Sequence, residues 1–169
     1  MLLLIPALAQ AAAMLVDEGK FHRRRGLPRW ERLGHPLDTA TTALCYAWLV
    51  GARAGSTAAL SSYVLLCVFS CLFITKDEFL HARVCSPGEM WVHALLFVLH
   101  PIVLAAFGVA WWFGIQPAII RIQLLLTIAF GAYQALYWGL HANAREQQRA
   151  SRKQRHLRDA RRALVRGRR

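Results

Sequence analysis

At 169 residues the chain has room for one domain, and 56% of its residues are hydrophobic. That exceeds the roughly 45–50% of soluble domains, and the apolar residues come in blocks, which points to membrane spans. The formal net charge of +12 would suit nucleic acid, but residues 142–169 alone hold 11 Lys and Arg against 2 acids. Basic charge beside an apolar run marks the cytoplasmic side and anionic lipid headgroups, so membrane lipid, and no nucleic acid, is the expected partner.

Five apolar runs, at about 2–16, 37–54, 57–75, 91–114 and 117–140, lack acids in their interiors. No basic stretch precedes the first, as a signal peptide requires, so it reads as a retained span, although Ala9-Gln10-Ala11 imitates a cleavage site. Asp17, Glu18 and His22 follow directly. Glu18 and His22 stand at i, i+4, one face of any helix that continues past Val16, and Gly19 weakens that helix by only about 1 kcal/mol. Arg23, Arg24, Arg25, Arg29 and Arg32 share the segment with Glu31, which makes arginine–carboxylate pairs the main alternative to a metal. Guanidinium also suits the oxygens of a phosphate or lipid headgroup. His35-Pro36 opens the second run, with Pro36 at the first helical position and Asp38, Thr42 and Cys45 continuing a polar stripe.

After the third run the pattern recurs as Asp77, Glu78, His81, Pro87, Glu89, His93 and His100-Pro101. Of the seven carboxylates outside the tail, six fall in the two copies, together with five of the seven histidines. Carboxylate with imidazole is the ligand set of Mn, Fe and Zn. Glu78-x-x-His81 places both groups on one helix face and resembles the Glu-x-x-His element of di-iron and di-manganese carboxylate bundles. Glu89, His93 and His100, at i, i+4 and i+11, form a stripe along the fourth run. An ionisable group as deep as His100 is expected to face the bundle interior; its plainer role is a bond to a carbonyl freed by Pro101. On the fifth run Gln123, Gln134, Tyr137 and His141 lie close to one face. Tyr133, Tyr137 and Trp138 suit an interfacial aromatic belt, with Trp111 and Trp112 as the opposite belt.

Residues 17–36, 76–90 and the tail carry 19 of the 21 Lys and Arg. The positive-inside rule then places the N-terminus outside, and both motif copies and the C-terminus in the cytoplasm. The four cysteines show no CxxC spacing, and Cys45, Cys67 and Cys71 sit in apolar runs as small hydrophobic side chains. No GxGxxG, Walker A loop, HExxH, GxSxG or CxxCH occurs, so nucleotide, zincin and c-type haem chemistry have no support.

The expected fold is an all-α integral membrane bundle of five spans, N-out and C-in, with a twofold internal repeat (spans 1–2 and 3–4) and a fifth span outside it. Residues 1–141 form the transmembrane helical domain and 142–169 a basic cytoplasmic tail. The expected function is that of a plasma- or inner-membrane metalloprotein, an oxidoreductase or hydrolase with a mono- or dinuclear site at the cytoplasmic face, acting on a lipid or other hydrophobic substrate. Glu18, His22, Glu78, His81, Glu89 and His93 are the expected metal ligands, with Asp17, Asp77, His35 and His100 as alternates or supports. Carboxylate-rich ligation favours iron or manganese over zinc as the divalent ion. The alternatives are a divalent-metal transporter or carrier, following the stripe from Glu89 to His100 and Gln123, and a non-catalytic scaffold braced by an arginine–carboxylate network.

Overall fold

The computed structural model describes residues 4–141. The basic tail, with its expected lipid contacts, lies outside the described residues, as do the side chains of Asp77 and His141. The described residues are helical, with no strand among them. Helix α1 spans Leu4–Val16. The chain does continue in helical form past Val16, but as a π-helical turn over Asp17–His22, followed by the single turn α2 at Arg23–Arg25. Gly26, at φ +74°, then redirects the chain, a conformation that glycine adopts without steric cost.

Helix α3, Arg29–Gly51, starts well before residue 37, so Pro36 lies inside the helix and not at its first position. The extended Pro28 sets the start instead, and Pro36 forfeits only its own N–H bond to the Arg32 carbonyl. Ser56 caps α4, Thr57–Phe73, by accepting the Ala59 N–H at 3.3 Å. A 3₁₀ turn at Ile74–Asp77 leads into the short α5, Glu78–Val84. Helix α6, Pro87–Trp112, begins at a capping box: Glu89 N–H donates to Ser86 Oγ at 3.3 Å, and Ser86 N–H to the Glu89 carboxylate at 3.4 Å. Helix α7, Pro117–Leu136, ends in a second π turn at Tyr137–His141.

Helix α3 packs chiefly against α7 and α4, while α6 carries α1 and α4. One end of the bundle closes around Tyr46, Leu49, Tyr63, Leu104, Phe107 and Ile120. Tyr46 meets Phe107 edge-on with centroids 5.1 Å apart. Gly108 permits the close approach of α4 to α6, since a Cβ there would stand 2.7 Å from Tyr63 Cε1. The Tyr63 hydroxyl donates to the Leu104 carbonyl at 2.7 Å. Trp111 belongs to this core and not to an interfacial belt: it is buried, and its N–H reaches the Ala52 carbonyl at 3.4 Å.

Three stretches, Thr57–Val84, Pro87–Trp112 and Pro117–Leu140, are long and apolar enough to cross a membrane. The other two expected spans do not reach that measure. Helix α1 has 13 described residues, and α3 interrupts its apolar face with His35, Asp38, Thr39, Thr41 and Thr42. The outer faces are coated with exposed Leu65, Val68 and Leu72 on α4, Val98, Ile102 and Val109 on α6, and Ile122, Leu125 and Ile128 on α7. Contiguous apolar surface of that kind is rare on soluble monomers.

Candidate metal centre

At the other end of the bundle the imidazoles of His22, His35, His81 and His93 pack together. His22 stacks on His35 at 4.7 Å between centroids, and His81 lies 4.3 Å from His93. Separations of 6.1 Å for His22–His93 and 6.4 Å for His35–His81 close the group. Burial, reinforced by His22, His81, Lys76 and His93, holds the His35 ring well below the ordinary histidine range and therefore neutral near pH 7.

The π turn explains how the first motif copy reaches this group. Its wider turn brings residues five apart onto one face, as an α turn does for residues four apart. Asp17 therefore lies against His22, with Oδ2 3.2 Å from Nε2, while Glu18 Oε2 faces Nδ1 at 3.4 Å. Asp17 also faces α6, where His93 Nε2 lies 3.2 Å from both carboxylate oxygens. The Trp138 indole, in the second π turn, donates to Glu18 at 2.6 Å. Single π turns inside helices concentrate at functional sites. Both of those among the described residues border this cluster.

Glu31 and Glu89, both buried, share one guanidinium. Arg25 donates to Glu31 at 2.7 and 3.2 Å and to Glu89 at 3.0 and 3.2 Å. Burial opposes the charge on Arg25, but the bond and charge of Glu31, backed by Glu89, outweigh it and raise its pKa. The arginine alternative is thus realised for these two acids, while Asp17 and Glu18 turn to imidazole and indole.

Three sets of side chains each bring ligand atoms within 4.8 Å of one another and could hold a metal ion: Asp17, His22, Glu89 and His93; Glu31, His35 and His81; and His81, Cys85 and His93. His35 Nε2, His93 Nδ1 and Glu78 Oε2 are buried without a hydrogen-bond partner. Buried polar atoms are nearly always paired, so these require an explanation, and an ion is one.

Of the expected site residues, Asp17, His22, His35, His81, Glu89 and His93 meet in these sets. Glu18 stands beside them on His22, and Glu78 opens α5 one turn before His81. The side chain of Asp77 lies outside the described residues. His100 belongs to none of the sets: its Nε2 faces Ser70 Oγ at 3.0 Å and its Nδ1 faces Gln10 at 3.3 Å. Polar side chains, and not the carbonyl freed by Pro101, take its two nitrogens. Asp38 pairs with Lys76.

Glu31 and Cys85 join the sets although neither is an expected ligand. A signal exists for each, since Glu31 precedes His35 and Cys85 follows His81 by four residues, which places each pair on one helix face. Burial, then the charge of Glu89, pushes the Cys85 thiol up to about 12, so it stands as a neutral thiol.

A cavity of about 360 Å³ runs from the cluster between α1, α3, α6 and α7. This is the size of an ordinary small-ligand site. Met14, Leu96, Phe97 and Phe130 wall it, Asp17 and the imidazoles close one end, and Tyr46, His100 and Gln123 line the other. Thr39 and Gln134, joined at 2.7 Å, tie α3 to α7 beside it. Comparison of the chain with protein-family models, curated proteins and solved structures finds no match.

Proposed function

We propose that the chain is an integral membrane metalloenzyme that holds one or two divalent ions in the imidazole–carboxylate cluster and acts on a hydrophobic substrate. One observation carries this reading: four packed imidazoles and four buried carboxylates, Asp17, Glu18, Glu31 and Glu89, meet at the end of an apolar cavity. Arg25 offsets one of the four negative charges, and the remainder call for imidazolium or a cation. Imidazolium at His93 could answer Asp17 alone, but a second one at His81 is a poor solution, because charges on the two rings at 4.3 Å would repel by about 4 kcal/mol at an effective dielectric near 20. His35 also resists protonation. A divalent ion held by neutral rings and carboxylates avoids both costs.

Asp17, His22 and His93 form a two-histidine, one-carboxylate set of the kind that suits non-haem iron. Glu31, His35 and His81 offer a second set beside it, which supports a dinuclear iron or manganese site. Such ions, when bound, supply Lewis-acid or redox chemistry to a substrate atom at the cavity end. The chain's own groups orient the ligands. Trp138 fixes Glu18, Glu18 holds His22 Nδ1, and Nε2 is left facing Asp17.

The membrane arrangement belongs to the same proposal. Helices α1 and α3 pack into the bundle of the three apolar helices, and together they make five spans, N-out and C-in, with the cluster at the cytoplasmic face of a plasma or inner membrane. Each acid-and-histidine segment then joins two spans, which is the proposed twofold repeat.

The chelation of Arg25 by two buried carboxylates favours a second reading, a non-catalytic scaffold. Metal analysis of the full-length protein, purified in mild detergent without chelator, separates the two. The metalloenzyme reading expects one or two iron or manganese ions per chain, lost in a folded His93→Ala variant. A wild-type protein without bound metal overturns it in favour of the scaffold.

A further inference from the structure

Helix α1 packs on α6 and α7 packs on α3, while α1 and α7 make little contact with each other. The cavity opens between them: Leu15 and Leu126 both line it and are 65% and 61% exposed. At the cluster end this gap is closed by two links, Trp138 to Glu18 at 2.6 Å and Arg23 to Tyr133 at 3.1 Å, with the Arg23 guanidinium 5.2 Å above the Tyr137 ring. The opening therefore faces sideways, flanked by the exposed Ile122, Leu125 and Ile128 of α7. A substrate arriving from water would have to cross that apolar surface, whereas in the proposed membrane setting a lipid would lie against it.

The cavity also has a direction. From His35 to Tyr46 it follows α3 for about 16 Å at 1.5 Å per residue, long enough for a medium-length alkyl chain. At its imidazole end the rim carries the exposed guanidinium of Arg23, 3.1 Å from the Tyr133 hydroxyl. Guanidinium at that rim matches the oxygens of an anionic head.

We infer that the cavity takes one alkyl chain of an anionic membrane lipid, entering sideways between α1 and α7, with its head at Arg23, its first carbons at the imidazoles and its tail towards Tyr46 and Gln123. The head's place near Asp17 and Glu18, and the chemistry there, rest on the metalloenzyme reading, in which a cation offsets those acids; the lodging of the alkyl chain needs only the membrane setting. Chemistry in such a complex falls next to the head of the lipid and not at the middle of its chain.

The test uses the full-length protein in nanodiscs of zwitterionic phosphatidylcholine, with no net charge, and a dodecyl phosphate carrying a diazirine at its chain end. Photolabelling should mark the deep wall, around Ala7, Tyr46 and Gln123. Ala11→Phe and Thr127→Leu, an exposed and a partly exposed lining position on opposite sides of the opening, should each reduce that labelling by about tenfold or more, a loss of about 1.4 kcal/mol in binding, while metal content stays at the wild-type value. Excess inorganic phosphate should not displace the probe. Labelling confined to the outer faces, or cavity labelling unchanged in both variants, overturns the inference. Labelling at His35 and His93 in place of the deep wall refutes the orientation, and displacement by inorganic phosphate would show a headgroup site alone. Deep labelling in a protein free of metal would sink the metalloenzyme reading and leave this one standing, whereas bound metal without deep labelling does the reverse.

Discussion

Arg25→Gln separates a metal centre from a salt-bridged scaffold. The guanidinium lies 2.7 Å from Glu31 and 3.0 Å from Glu89, and both carboxylates are almost wholly buried. Each contact is worth roughly 6 kcal/mol in gross Coulomb energy at an effective dielectric near 20. Most of this is offset by the cost of burying the charges, and breaking a buried pair costs about 3–5 kcal/mol net. At roughly 2–4 °C per kcal/mol, the metal-free variant should melt about 10 °C below the wild type. Manganese(II) or iron(II) at a hundredfold excess over its Kd returns about 2.7 kcal/mol to any protein that binds it only when folded. Both proteins should therefore be stabilised by metal, the variant more, because Glu31 and Glu89 are released to face the ion. The assay is thermal unfolding in detergent followed by tryptophan emission, with and without metal. A variant that melts with the wild type refutes the electrostatic reading of Arg25, and metal that moves neither curve refutes the metal centre.

Trp138→Phe removes the donor to Glu18, a charged hydrogen bond worth about 1.5–3 kcal/mol, and should weaken metal binding by about 10–100-fold because His22 loses its orienting partner; unchanged affinity by metal titration would refute that role. Asp17→Asn should lower bound metal sharply while His100→Ala leaves it intact, since the His100 nitrogens face Ser70 and Gln10; equal losses by elemental analysis would contradict the separation. The metal-free protein should lose stability relative to a metal-free His35→Asn variant as the pH falls below 6.5, because the unfolded chain then binds a proton that the buried His35 ring refuses; the loss ends only below the depressed folded-state pKa, and melting temperatures of the two that run parallel from neutrality to about pH 5 would exclude it. Gly108→Ala drives a Cβ into the Tyr63 ring and should cost about 1–3 kcal/mol without changing metal content, which unfolding and metal analysis together would check.

The sequence by itself determined the helical class, the apolar runs of α4, α6 and α7, and the crowding of acids and histidines between runs. Those are local properties: an unbroken apolar run makes a helix in a low-dielectric setting, and a spacing of three or four places two side chains on one face. On that basis Glu78 with His81 and Glu89 with His93 were legible as same-face pairs. The continuation of α1 past Val16 was legible too, but not its π form, which puts Asp17 as well as Glu18 against His22. The tertiary structure decided everything that depends on the register between helices. It sent Arg25 to Glu31 and Glu89, brought Asp17 to His93 across a separation of 76 residues, drew His35 into the stack and turned His100 towards Ser70 and Gln10. Nothing in local spacing encodes how far one helix slides along another. Packing settles that, through close approaches such as Gly108 on Tyr63 and cross-links such as Thr39 to Gln134, and the offset it fixes selects which acid meets which imidazole.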